Sequence, residues 1–138
     1  VEPEGHKHNW YNFTLHIDAS ALGWNGDPKT FRDSLLKALQ AEGVPASVWQ
    51  SYILPEMTVF QAKNAYAQGC PWSCPFTEPV EYNPDDYPAA QKHCGTHFGM
   101  TTPLRAPNGP DQVKIVAAGI RKVFENIETL DPQKVLKG

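Results

Sequence analysis

The 138-residue chain is short of cysteine, of positive charge and of long apolar runs. Each shortage sets aside a class of function. Three cysteines, an odd number, leave one thiol over in any disulfide scheme. A disulfide-stapled secreted scaffold is therefore not expected, and a reducing cytoplasm is the expected compartment. Twelve basic against fifteen acidic side chains give a net charge of −3. Nucleic acid and anionic membrane both select for a basic excess, so neither is an expected partner. No apolar run approaches the roughly 20 residues that cross a bilayer, and the mean hydropathy of −0.47 predicts a soluble chain. Residues Val1 to Lys7 lack the apolar stretch of a signal peptide. They also lack an initiator Met, and a cut end of something longer is expected there. No Gly-rich phosphate loop, Gly-Lys-Ser/Thr or Gly-x-Ser-x-Gly elbow occurs.

What is present suits one domain over 1–138, with 1–7 and 130–138 flexible. Prolines number 13, and many fall between Pro55 and Pro110, so a loop-rich middle is expected. Tyr11, Phe13, Leu15 and Ile17 alternate with Trp10, Asn12, Thr14 and His16, the period of a strand with one buried face. Asp27-Pro28 opens a helix carrying Phe31, Leu35, Ala38 and Leu39 and closing at Gly43. Val44 to Tyr52 predicts a second strand, and Met57 to Tyr66 a short helix. Asp85 to Cys94 predicts another helix, closed by Gly95, and Phe98 with Met100 a third strand. The last helix starts at Asn108-Gly109-Pro110-Asp111, with a stripe of Val113, Val116, Ile120, Phe124 and Ile127. The fold class is α/β of the α+β kind: a two-layer sandwich with a small three-stranded sheet, mixed or antiparallel, covered by helices.

Several groups carry chemical potential. Cys70-x-x-x-Cys74, with His93, Cys94 and His97 further on, offers soft ligands for zinc or a thiol pair. The spacing is not that of a zinc knuckle or a thioredoxin motif, and a packed proline loop explains the cysteines equally. His8, Asn12 and His16 share the polar face of the first strand, which lines a cleft or faces solvent. Asp85-Asp86 with Glu78 and Glu81 is an acidic patch. Arg105, after Pro103-Leu104, has the two-pronged geometry that clamps a carboxylate or phosphate. Trp49 and Trp72 fall in loops or strand ends, where aromatics often mark an interface. None of these is a self-sufficient active site.

Taken in order, the segments from Lys7 to Glu128 resemble the C-terminal small domain of the DegT/DnrJ/EryC1/StrS aminotransferases, fold-type I pyridoxal-phosphate enzymes. The resemblance rests on His8-Asn9-Trp10-Tyr11-Asn12-Phe13, on Phe31-Arg32 with Leu35, Leu39 and Glu42-Gly43-Val44-Pro45, and on Tyr52-Ile53-Leu54-Pro55. Gly69-Cys70-Pro71-Trp72-Ser73-Cys74-Pro75, Tyr87-Pro88-Ala89-Ala90-Gln91 and the helix from Asp111 to Phe124 add to it. It implies a longer parent whose N-terminal large domain, absent here, carries the Schiff-base lysine and the pyridoxal 5′-phosphate. No lysine of this chain matches that motif, so no catalytic residue, bound cofactor or metal is expected on the fragment. The implied role is to close the substrate cleft and support a homodimer, for transfer of an amino group from an amino acid to a keto sugar or cyclitol. His8, Asn12 and Arg105 are the implied substrate-binding residues. Cys70, Trp72 and Cys74 are the implied interface or cleft-rim loop. Many members read Pro-Leu-His where this chain has Pro103-Leu104-Arg105. Two other readings stand beside this one: a standalone protein-interaction module, and a small Cys/His metal-binding or thiol protein.

Overall fold

The structure, a computed structural model, describes residues 2–9, 11–66, 68–101, 103 and 105–136. Trp10 of the expected strand, Leu104 beside Arg105, and Val1, Lys137 and Gly138 of the expected flexible ends lie outside the described residues. The elements run β1 (Phe13–His16), α1 (Pro28–Ala41), α2 (Thr58–Ala62), α3 (Pro88–Thr96), β2 (His97–Met100), α4 (Pro110–Glu125) and α5 (Pro132–Val135). Short 3-10 turns occupy Leu54–Glu56, Pro84–Asp86 and Ile127–Thr129. The architecture is α+β. Two compact units form: Val1–Trp49 together with Thr96–Gly138, and Gln50–Gly95.

In the first unit β1 pairs antiparallel with β2, Phe13 opposite Met100 and Leu15 opposite Phe98. Phe13 and Leu15 turn inward while Thr14 and His16 are exposed, as a period of two requires. The sheet was expected to have three strands, but two are found among the described residues. The segment from Val44 contributes a single bridge: Ser47 N–H donates to Gly99 O at 2.9 Å, and Gly99 N–H to Ser47 O at 2.8 Å. Pro45 has no N–H to donate, and Ala46 N–H turns back to Val44 O, so pairing cannot spread toward the N-terminal side.

Helix α1 starts as its residue types dictate. The Asp27 carboxylate accepts from the Thr30 amide at 2.9 Å, the Thr30 hydroxyl at 2.7 Å and the Lys29 amide at 3.3 Å, with Pro28 in the first turn. The Thr30 hydroxyl foremost, then the Thr30 and Lys29 amides and the Lys29 charge, outweigh partial burial and hold this carboxyl below its ordinary range. Gly43, just past the helix, has φ of 77°, the left-handed position that glycine adopts without strain.

The core joins Leu35 and Leu39 of α1, Phe98 and Met100 of β2, and Val116 and Val123 of α4 around Val44 and Ala46. The α4 stripe is only partly covered: Val116 and Val123 are buried, but Val113 is exposed. Arg32 is fully buried, an unusual place for a charge. Its Nη1 donates to His97 O at 2.7 Å and its Nε pairs with Asp33 at 2.6 Å. Past Leu130 the described residues form α5. Asp131 caps it, Ser34 Oγ donates to Pro132 O at 3.4 Å, and Lys37 Nζ to Val135 O at 3.2 Å.

In the second unit the expected helix over 57–66 shortens to α2, because Lys63 takes a left-handed conformation. Helix α3 begins at Pro88 and runs through Gly95 instead of closing there. Among the described residues no helix is long and apolar enough to cross a membrane.

Candidate functional site

The first unit holds a pocket of about 510 Å³. Tyr11 and Asn12 reach it from the approach to β1, Ser47 and Trp49 from the bridging segment, and Gly99 and Thr101 from the end of β2. Arg105 completes the lining. Its Nη2 donates to Tyr11 O at 3.1 Å, and its guanidinium carbon stands 5.0 Å from the centre of the Tyr11 ring. A carbonyl and an aromatic face thus orient one cation across a sequence gap of 94 residues.

Gly99 is what lets Asn12 into this pocket. Both polar groups of Gly99 turn to Ser47, so its pairing with Thr14 is of the closer, non-hydrogen-bonded kind. A Cβ at Gly99 would lie 2.9 Å from Asn12 Oδ1 and 3.1 Å from Phe13 O. The amide occupies the space a side chain would take.

The lining therefore combines a guanidinium held by Tyr11, one amide, the hydroxyls of Ser47, Thr101 and Tyr11, and two exposed rings, Tyr11 at 72% and Trp49 at 67%. Such a set binds. Guanidinium, amide and hydroxyls suit carboxylate or sugar oxygens, and the rings suit a flat apolar face. Among the described residues that line it there is no lysine, histidine, cysteine or carboxylate, the usual side chains for proton transfer or covalent attachment.

Of the three residues expected to bind substrate, Asn12 and Arg105 line this pocket and His8 does not. The His8 amide donates to Glu2 Oε1 at 2.8 Å. His16 lies elsewhere, its Nδ1 3.2 Å from Thr96 Oγ1 and its ring 6.4 Å from that of His97. Tyr11 was expected on the buried face of the first strand, but it precedes β1 and is exposed; neither it nor Ser47 nor Thr101 was a candidate site residue. No local motif marks them, because the pocket is assembled by tertiary contacts.

The second unit carries a smaller pocket of about 370 Å³, lined by Ile53, Leu54, Pro55, Phe60, Tyr82 and Tyr87 among others. Beside it Phe60, Trp72 and Tyr82 pack ring on ring. Trp72 meets Phe60 edge-on at 6.2 Å and Tyr82 at 6.4 Å, and its Nε1 donates to Tyr82 Oη at 2.9 Å. Trp72 is thus half-buried by its own unit, whereas Trp49 is exposed. Cys70 is exposed, Cys74 half-buried and Cys94 buried, and all three are thiols. Among the described residues no three His, Cys, Asp or Glu side chains gather as a metal site. In the acidic patch, Glu81 pairs with Lys63 and Asp85 accepts from Gln91 at 3.3 Å.

Compared with known proteins, the chain matches no family model and no curated sequence.

Proposed function

We propose that this chain is the C-terminal small domain of a pyridoxal-phosphate aminotransferase of the DegT/DnrJ/EryC1/StrS type. Its parent is cytoplasmic and homodimeric and moves an amino group from an amino acid donor to a keto sugar or cyclitol. The observation that carries the reading is the meeting of Asn12 and Arg105 in one pocket with hydroxyls and exposed rings. Those groups are the ones a sugar or a donor carboxylate needs. The α+β unit, with α1 and α4 sharing a core with β2, is compatible with the two-layer small domain of that type.

Among the described residues that line the pocket there is no lysine. In this proposal the cofactor, the lysine that binds it and the bond-making steps belong to the parent's large domain. This chain binds and orients: Arg105 takes a carboxylate or ring oxygen, Asn12 a hydroxyl, and Trp49 a sugar face. The loop with Cys70, Trp72 and Cys74 is assigned to the parent's cleft rim.

The test is made on the full reading frame. It should encode a lysine-bearing large domain before Val1, and the purified product should transfer an amino group to a keto sugar. Arg105→Ala should raise KM at least about tenfold, the usual effect of losing a charge-assisted contact. A frame with no such domain, or an unchanged KM and kcat in the variant, overturns the reading.

A second reading keeps one observation of its own. Tyr66 and Phe76 of the second unit are 89% and 93% exposed, as in a protein-interaction module.

A further inference from the structure

We infer that Cys70 and Cys74 form a thiol-modification site, at which Cys70 takes up a low-molecular-weight disulfide and Cys74 resolves it into an intramolecular disulfide. This goes beyond the aminotransferase reading and does not depend on it. Both residues are thiols, one exposed and one half-buried. The chain between them is wound into consecutive turns. Ser73 N–H donates to Gly69 O at 2.9 Å, a link across four residues, and Cys74 N–H to Pro71 O at 3.2 Å. The bond from Cys74 N–H to Pro71 O folds the chain back toward Cys70, and a disulfide needs α-carbons within roughly 4.4–6.8 Å.

The turn is also held from outside. Cys70 bridges Ala65, Gly69 N–H donates to Asn64 Oδ1 at 3.0 Å, and Ser73 Oγ donates to Gln68 O at 3.2 Å. Thr77 N–H donates to Cys74 O at 3.0 Å and Thr77 Oγ1 to Pro71 O at 3.1 Å. A turn held at both ends limits how far the two cysteines can separate, which favours closure between them over a second encounter with a small thiol. Cys94 is buried, and water-borne reagents reach it slowly.

The exposures set the order of events. The exposed Cys70 thiolate attacks one sulfur of the small disulfide, breaking its S–S bond and expelling one small thiolate. Cys74 Sγ then attacks Cys70 Sγ, forming the internal disulfide and expelling the second. Two protein thiols lose two electrons and two protons; the small disulfide gains both and leaves as two thiols. Trp72 lies between the two cysteines, so closure also fixes the segment that presents its indole to Phe60 and Tyr82, two side chains lining the second unit's pocket.

The full 138-residue chain is incubated with oxidised glutathione at about pH 8, then alkylated and mapped by mass spectrometry. Wild type should close Cys70 to Cys74 and retain no glutathione, and dithiothreitol should reopen it. Cys74→Ser should hold glutathione on Cys70, and Cys70→Ser should react at least about tenfold more slowly than wild type. Wild type that keeps glutathione on Cys70, or that pairs either cysteine with Cys94, overturns the inference. So does a Cys70→Ser variant as fast as wild type. The wild-type map decides alone if a serine variant loses its native circular dichroism. None of these readings involves amino transfer, so failure here is separate from failure of the aminotransferase proposal.

Discussion

Replacing Gly99 by Ala tests whether the pocket and the sheet share the same few ångströms. The new Cβ would lie 2.9 Å from Asn12 Oδ1 and 3.1 Å from Phe13 O, both closer than ordinary contact. The two neighbours differ in how they give way. Asn12 Oδ1 ends a rotatable, half-buried side chain. Phe13 O belongs to β1, where Phe13 faces Met100 across the ladder. Overpacking of this kind costs about 1–3 kcal/mol. Asn12→Ala alone should cost within about 0.5 kcal/mol, since the residue is only half-buried. In the double variant the side-chain clash is gone and the backbone one stays. The two changes should therefore cost less together than separately, by a coupling of about 1 kcal/mol. Urea unfolding followed by circular dichroism on the four proteins measures it. Additivity to within about 0.3–0.5 kcal/mol would refute the claim that Asn12 fills the space over Gly99.

Asp27→Ala should destabilise α1 by about 1 kcal/mol at pH 7, and Asp27→Asn by much less. The hydrogen bond from the Thr30 hydroxyl, backed by the Thr30 and Lys29 amides, lowers this carboxyl in the folded state. Its contribution is therefore present above the ordinary aspartate value of about 3.9 and lost as the pH falls through the folded value. Thermal melts of wild type and Asp27→Ala should thus converge toward about pH 2, and a constant gap would contradict the assignment. Leu39→Ala removes a fully buried side chain of the core. It should cost about 2–5 kcal/mol, read as a fall in the urea midpoint with an unchanged slope.

Much of the first unit was legible because local chemistry and tertiary packing agree there. Phe13 and Leu15 alternate with polar residues and bury the face that the alternation picks. Asp27-Pro28 and Gly109-Pro110 start α1 and α4 where N-cap and first-turn preferences put them. The segment Val44 to Tyr52 misled because its apolar residues look like a strand. Pairing there depends on backbone donors, which Pro45 lacks and Ala46 turns inward. Strand β2 is buried at every position and shows no alternation to read. Its His97 carbonyl receives Arg32, and a buried arginine cannot be told from a surface one by residue type. Arg105 and Asn12 were legible as candidates through the resemblance and through arginine chemistry. Their convergence with Tyr11, Ser47 and Thr101 was not, because nothing local ties residues so far apart. Trp72 looked exposed because a proline loop surrounds it, and only Phe60 and Tyr82 reveal its cover.

The Ser47 bridge has a consequence for how this chain meets copies of itself. A free strand edge is a template for aggregation, because its outward N–H and C=O groups can pair with any passing strand. On β2 the outward groups already have owners. Ser47 takes both from Gly99, and Arg32 takes the carbonyl of His97. A foreign strand meets an edge whose first rungs are occupied, and the two four-residue strands found among the described residues are too short to offer many more. What fails as a third strand thus serves as a cap on the sheet, and it also brings Trp49 to the pocket.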